Sequence, residues 1–257
     1  MTAQANPEYG PLGRVGIGTP QANPTVEAEL AILLPRACSL HVTRLTSTAP
    51  APEQRLVDYL NGLESYLSAF DTLRPDVFGF ACTASSYLLG AAVEQRIIDA
   101  AAERRGYPIE TAARAIIWGL QRMGARRVAV VEPYPSSVID AARRYWSAAG
   151  IELVHVQHIA TRDADTRGIY ELGSRHIAAV LPGLPLKEVD VVLISGTGMP
   201  SLAAIRSSSA AVPIISSNTC LAARLLDLLG RSEWLDPGSP TIRGWQQRFD
   251  ESCQLIP

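Results

Sequence analysis

Short apolar runs alternate with longer amphipathic stretches along most of the chain, and this alternation constrains the fold more than any other feature. The runs predict strands at residues 14–18, 76–81, 126–133, 151–159, 189–195 and 212–216. The stretches between them predict helices over 24–35, 53–73, 83–106, 110–124, 136–150, 168–181, 199–209 and 218–230. Strands that alternate with helices form parallel sheets covered by helices on both faces. The pattern therefore predicts an α/β fold that binds ligands at the carboxyl ends of its strands.

The two halves of the chain repeat one arrangement of loops. A predicted strand runs into Pro20, and Cys82 follows 62 residues later at the end of another strand. A second strand runs into Pro133, and Gly196 follows 63 residues later, again at a strand end. We interpret this as an internal duplication. It predicts two pseudo-symmetric lobes, each with a parallel sheet flanked by helices, and an active site in the cleft between them.

The predicted lobes are not simply the two halves of the chain. We expect residues 1–115 and 215–257 to form the N-terminal lobe, and residues 116–214 to form the second lobe. The cleft would be built from segments 20–24, 82–86, 133–137 and 196–201. The polar tail over 231–257 has no pattern that places it.

Composition excludes several classes of protein. A chain of 257 residues with 47% hydrophobic residues can bury a substantial core. Its formal net charge of −2 argues against a nucleic-acid partner. No apolar run reaches the roughly 18 residues of a membrane span, and the N-terminus lacks the features of a signal peptide. We therefore expect a cytoplasmic protein that binds neither nucleic acid nor a membrane.

The cysteines and histidines do not form a metal-site pattern. The four cysteines lack C-x-x-C spacing and the four histidines lack ligand spacing, so we expect no metal. Cys82 stands apart because it follows an apolar strand and opens a helix. Backbone N–H groups and the helix dipole favour a thiolate at such a position. The alternative is that Cys82 is a small buried residue, as free cysteines commonly are.

Small and hydroxyl-bearing residues surround the two turns. Thr83, Ala84 and Ser85 follow Cys82, and Thr197 and Gly198 follow Gly196. Hydroxyl and backbone N–H groups at two helix starts can bind a carboxylate. The same residue types also serve as ordinary helix caps, so both interpretations remain open.

Three further side chains belong to the predicted cleft. Asn23 either caps the helix that starts at Pro24 or directs its amide into the cleft. Tyr134 follows Pro133, where its phenol could donate to a carboxylate or lie on a surface loop. Gln21 lies in the same loop as Asn23 and is a candidate substrate-binding residue.

Taken together, these motifs resemble those of a known superfamily. They are P-x-x-N at 20–23, A-C-T-x-S-S at 81–86, P-Y at 133–134, M-P-S-L at 199–202 and S-S-N at 216–218. This set is similar to the aspartate/glutamate racemase superfamily, and within it to the branch that joins maleate cis–trans isomerases and arylmalonate decarboxylases. The resemblance covers roughly residues 13–230.

The resemblance implies two α/β lobes with the active site between them and no cofactor. Members usually carry one cysteine in each half. Here the first position holds Cys82, whereas the second is vacant because it holds Gly196. Asn23 and Tyr134 match the carboxylate-binding asparagine and tyrosine of the isomerases.

The resemblance implies a small carboxylate or dicarboxylate as substrate. The leading expectation is a cysteine-dependent isomerase that adds the Cys82 thiolate to an unsaturated dicarboxylate such as maleate. The alternative is an arylmalonate-decarboxylase-like lyase in which Cys82 protonates an enediolate. A racemase and a non-catalytic carboxylate-binding protein are lesser alternatives, and homo-oligomerisation is possible.

Overall fold

The computed structural model describes residues 8–162 and 165–253 of the chain and contains two parallel four-stranded sheets. The first sheet has the strand order β2-β1-β3-β4 and the second has the order β6-β5-β7-β8. The strands are β1 Gly13–Pro20, β2 Cys38–Leu45, β3 Val77–Phe80, β4 Ile109–Thr111, β5 Arg127–Glu132, β6 Glu152–His158, β7 Val191–Ile194 and β8 Ile214–Ser216. The predicted α/β fold with a parallel sheet in each half is confirmed.

Helices cover the faces of both sheets. They are α1 Thr25–Leu33, α2 Pro52–Asn61, α3 Leu63–Ser68, α4 Thr83–Leu89, α5 Ala91–Arg105, α6 Ala112–Met123, α7 Ser136–Ala148, α8 Ser174–Val180, α9 Leu202–Ser207, α10 Ser217–Leu228 and α11 Trp245–Cys253. Short 3₁₀ turns form at Thr166–Glu171, Leu181–Gly183 and Ser232–Trp234.

The central strands lie in the core because their side chains are apolar on both faces. Strand β3 is buried at every position, and so is β7. The edge strands β2 and β6 are only partly buried, and they mix polar with apolar residues. Near-continuous apolar runs are the expected sequence of strands covered on both sides. The carboxyl ends of these central strands carry the turns that form the site.

Several element predictions were wrong. Strand β2 was not predicted because its polar residues mask the alternation of an edge strand. Residues Ile109–Thr111 form β4, so the helix predicted over 110–124 begins only at Ala112. The single helix predicted over 83–106 is divided at Gly90, whose φ of 79° is incompatible with a continuing helix. Likewise, Gly62 divides the helix predicted over 53–73.

The C-terminal helices contact elements of the first sheet, while the assignment of residues 215–257 to the N-terminal lobe stays a prediction. Helix α10 packs on α6 and on β3 and β4 of the first sheet, and α11 packs on α1. The tail beyond residue 230 thus contributes a 3₁₀ turn and α11 to the side of the first sheet. Within residues 8–162 and 165–253, none of the helices combines the length and apolar character that a bilayer crossing requires.

Candidate active site

A cavity of about 430 Å³ opens between the two sheets, at the carboxyl ends of their strands. Both halves of the chain contribute to its wall. The first half supplies Pro20, Gln21, Ala22, Asn23, Ser47, Thr48, Ala49, Pro50, Arg55, Leu56, Tyr59, Cys82 and Ala84, and the second supplies Tyr134, Arg167, Ile169, Tyr170, Thr197 and Gly198. Of the predicted site residues, Gln21, Asn23, Cys82, Ala84, Tyr134, Thr197 and Gly198 therefore meet at one cavity.

Cys82 lies between the end of β3 and the first turn of α4, and its side chain is 5% exposed. Its Sγ accepts hydrogen bonds from the Ser85 hydroxyl at 3.2 Å and from the backbone N–H groups of Ala84 and Ser85. These donors lower the pKa of the thiol, but burial raises it by more, so the net shift is upward. The expectation of a resting thiolate therefore does not hold, because desolvation outweighs the helix start.

Thr83 and Ser85 lie behind the cavity wall and act through their neighbours. Both are fully buried, and neither lines the cavity. The Thr83 hydroxyl hydrogen-bonds the Tyr134 hydroxyl at 2.7 Å, across the two halves of the chain. Burial raises the pKa of Tyr134 well above its usual value, so the phenol keeps its proton and can donate.

Asn23 fulfils both of its predicted alternatives at once. Its Oδ1 accepts the N–H of Thr25 at 2.9 Å and that of Val26 at 3.3 Å, which caps α1. Its Nδ2 faces the second half of the chain, where it donates to the Thr197 hydroxyl at 3.4 Å. That hydroxyl in turn donates to the Ala81 carbonyl at 2.8 Å. The amide is therefore oriented by α1 and by the turn after β7.

Gly196 is buried, but it does not line the cavity. Its φ of 130° is one that other residues rarely adopt. A β-carbon there would lie 3.4 Å from Pro133 Cδ and from the Tyr134 hydroxyl, which is ordinary contact. The position equivalent to Cys82 thus has room for a β-carbon but a backbone suited to glycine.

Gly198 serves a different purpose, because it allows an aromatic ring to approach the backbone. A β-carbon at Gly198 would come within 2.7 Å of Tyr170 Cε1. Tyr170 lines the same cavity as Cys82. The absence of a side chain at residue 198 therefore lets Tyr170 form part of the wall.

Sequence reasoning missed two arginines and two tyrosines of the wall. Arg55, on α2, is 7% exposed and pairs with Asp165 at 2.5 Å, and Asp165 also binds Arg167 at 2.7 Å. Arg167 holds the pKa of Asp165 low, with help from Arg55, at about 2. Tyr59, one turn after Arg55, lies within electrostatic range of Cys82. Arginines occur throughout this chain, and no local signal separates these two from the rest.

A buried carboxylate fixes the turn after β7. Glu29, on α1, accepts hydrogen bonds from the backbone N–H groups of Ser201 and Leu202 at the start of α9. It also accepts from Asn218 Nδ2 at 2.7 Å, and the same Nδ2 donates to the Thr197 carbonyl at 3.1 Å. Burial raises the pKa of Glu29 despite these donors. In the sequence, Glu29 is one of two acidic residues of α1, and no local pattern indicates this network.

Among the described residues, no three His, Cys, Asp or Glu side chains form a group that could hold a metal ion. The polar groups of the cavity wall are one thiol, several hydroxyl groups, two amides and two guanidinium groups. Such a set binds anions and offers one nucleophile or proton donor.

The fold and the cavity define a two-lobed α/β protein with Cys82 in the wall between its sheets. The family model of arylmalonate decarboxylase matches residues 63–235. The chain belongs to the arylmalonate decarboxylase family, and the predicted resemblance is confirmed.

Individual relatives include both enzymes that the resemblance named. The chain is 28% identical over 227 residues to a maleate isomerase of Nocardia farcinica (strain IFM 10152), covering 84% of this chain and 89% of that one. A solved structure of a Nocardia farcinica maleate cis–trans isomerase variant, with a covalently bound succinylcysteine intermediate, aligns with a TM-score of 0.75. It is 26% identical and covers 84% of this chain and 92% of that one. Arylmalonate decarboxylase aligns with a TM-score of 0.68 at 21% identity, covering 93% and 99% of the two chains, and shares the fold.

Proposed function

We propose that this protein is a cysteine-dependent isomerase of a small unsaturated dicarboxylate such as maleate. The observation that carries the proposal is the Cys82 thiol in the wall of a cavity that is lined by hydroxyl, amide and guanidinium groups and by no acidic side chain. Such a lining attracts an anion and brings it to the sulfur. The similarity to maleate isomerases, one of them with a succinylcysteine intermediate, supports the same chemistry.

Cys82 Sγ would form a bond to one alkene carbon. The π electrons would move to the other carbon and its carboxylate, giving an enediolate with a single bond that can rotate. Re-formation of the double bond would then expel the sulfur and release the trans isomer. Burial keeps the resting thiol protonated, so its proton would pass to a carboxylate of the bound substrate as the C–S bond forms and return to the sulfur when that bond breaks. The Ser85 hydroxyl and the N–H groups of Ala84 and Ser85 would stabilise the thiolate at both stages.

The carboxylates would be held by groups that are oriented before the substrate arrives. Asn23 Nδ2 and the Tyr134 hydroxyl are both hydrogen-bonded across the cleft, to Thr197 and Thr83. Donors fixed in this way stabilise an enediolate without reorganising. We propose Asn23, Tyr134 and Thr197 as the principal substrate-binding residues, with Gln21, Ala84 and Gly198 completing the wall.

A decarboxylase of a disubstituted malonate is the second candidate, and the raised pKa of Cys82 favours it. A buried thiol that keeps its proton can protonate an enediolate after loss of CO₂. A single acid suffices for that reaction. Two-base racemisation is not proposed, because Gly196 supplies no second acid.

The experiment follows the conversion of maleate to fumarate by proton NMR, and CO₂ release from phenylmalonate, with the purified full chain. We expect fumarate to form, and Cys82→Ala to lower kcat by about a thousandfold or more. Cys220→Ala is the matched control, since Cys220 is also buried but lies outside the cavity. CO₂ without fumarate would favour the decarboxylase, and full activity of Cys82→Ala would rule out both proposals.

A further inference from the structure

The cavity is larger than a four-carbon dicarboxylate requires. Such a substrate has eight non-hydrogen atoms, and at about 30 Å³ each, the volume of a water molecule in the liquid, it needs at most about 240 Å³. The cavity measures about 430 Å³. Space for roughly six further atoms therefore remains beside a bound maleate.

Charged side chains at one end of the cavity give this end a net positive charge. Of the cavity-lining residues, Arg55 and Arg167 are charged, and both pair with Asp165. Two guanidinium groups and one carboxylate leave a net positive charge at this end. Both Nη atoms of Arg55 are hydrogen-bonded, Nη2 to Asp165 and Nη1 to the carbonyls of Ala49 and Pro50.

Arg167, by contrast, can still bind a ligand. It donates to Asp165 through Nε at 3.0 Å and Nη2 at 2.7 Å, while Nη1 has no hydrogen-bond partner among the described residues. Its side chain is 62% exposed at the cavity edge. Tyr59, Cys82, Arg55 and Arg167 line the same cavity, so the thiol and the guanidinium groups face one space.

We infer that the preferred substrate is an unsaturated tricarboxylate, a maleate that carries a carboxymethyl group directed at Arg167. This inference rests on the proposed function and extends it. The extra group has four non-hydrogen atoms, so the whole molecule needs about 360 Å³ and fits the cavity. Arg167 would bind the third carboxylate through Nη1, while Cys82 acts on the double bond as before. The third carboxylate takes no part in bond making, so the same bonds form and break as in the isomerisation of maleate.

Binding of unreactive analogues tests this inference independently of turnover. The probes are propane-1,2,3-tricarboxylate and succinate, which lack the double bond, and their affinities are measured by titration calorimetry with the full chain. We expect the tricarboxylate to bind at least about tenfold more tightly than succinate. Arg167→Gln should weaken binding of the tricarboxylate about tenfold more than binding of succinate, so that the advantage is lost, and Arg96→Gln on the exposed surface of α5 is the control.

Comparison of turnover between substrates provides a second test. We expect kcat/KM for cis-propene-1,2,3-tricarboxylate to exceed that for maleate and for methylmaleate by about tenfold or more. If maleate turns over but methylmaleate or phenylmaleate is preferred, the proposed function stands and the tricarboxylate inference is overturned. Equal binding of the two unreactive analogues overturns it as well, even if no substrate turns over.

Discussion

The turns after β3 and β7 occupy equivalent positions in sheets with the same strand order, yet one carries Cys82 where the other carries Gly196. Cys82 has an extended backbone, with φ of −147°, and places its thiol in the cavity wall. Gly196 has φ of 130° and is covered by Pro133 and Tyr134. The strand order is duplicated, whereas only the turn after β3 carries a thiol at this position.

The residues after these two positions retain the symmetry. Thr83 bonds Tyr134 of the second half, and Thr197 bonds Asn23 of the first half. Each threonine thus reaches the loop that follows the first strand of the opposite sheet. The comparison teaches that the second turn contributes to the cavity wall without a thiol, so under the proposed function its role depends on how firmly it is held in place.

The largest expected effect on stability comes from disrupting the hydrogen bonds by which Glu29 holds the turn after β7. Glu29→Gln puts an NH₂ group against the N–H groups of Ser201 and Leu202 or against Asn218, all of which are donors. We expect the free energy of unfolding to fall by about 2–4 kcal/mol, measured by urea denaturation. Glu27→Gln is the control, since Glu27 forms an exposed pair with Arg44 and should cost less than about 1 kcal/mol. Equal losses in the two variants would show that Glu29 does not hold the second turn.

A second prediction concerns the substitution of Gly196, the position equivalent to Cys82. Gly196→Ala and Gly196→Cys should each lower the free energy of unfolding by about 1–2 kcal/mol, because φ of 130° strains any residue with a β-carbon. The two losses should be similar, since the β-carbon itself meets only ordinary contacts. Thermal unfolding of both variants measures this. A stabilised Gly196→Cys protein would mean that the turn accepts a second thiol without strain.

Features of the fold that depend on local sequence patterns could be predicted from the sequence. Apolar runs and glycine stops predicted both parallel sheets, and equal loop spacing predicted that Cys82 and the turn at 196–198 belong to one cleft. The edge strand β2 was missed because half-exposed positions carry mixed residues. The helix break at Gly90 was missed because a glycine inside a helical pattern does not reveal its φ.

The rest of the site depends on contacts between residues that are distant in the chain. Arg55 and Asp165 are 110 positions apart, and Glu29 and Asn218 are 189 apart. No periodicity or spacing links such pairs, so only the folded arrangement brings them together. The pKa of Cys82 was misjudged for the same reason, because burial in the folded state exceeds the effect of the local helix start.

A third prediction concerns the residues that precede Pro20 and Pro133, which are Thr19 in one half and Glu132 in the other. Burial raises the pKa of Glu132 to about 7, although the carboxylate accepts the Tyr134 N–H at 2.7 Å. The native state therefore binds a proton that the unfolded chain has released, so stability should fall as pH rises from about 4.5 to 7. The slope from this group is at most about 1.4 kcal/mol per pH unit.

Urea denaturation of the wild type and of Glu132→Gln at several pH values measures this difference between the halves. The advantage of the wild type over Glu132→Gln should shrink from pH 5 to about pH 7 and level off by pH 8, because the glutamine cannot ionise and the buried carboxyl can. Glu152→Gln, on the exposed edge strand β6, should follow the wild type throughout. A constant difference between wild type and Glu132→Gln would show that Glu132 is already ionised at pH 5. In that case its hydrogen bond to Tyr134 outweighs burial, and the loop after β5 has the same pH response as the neutral loop after β1.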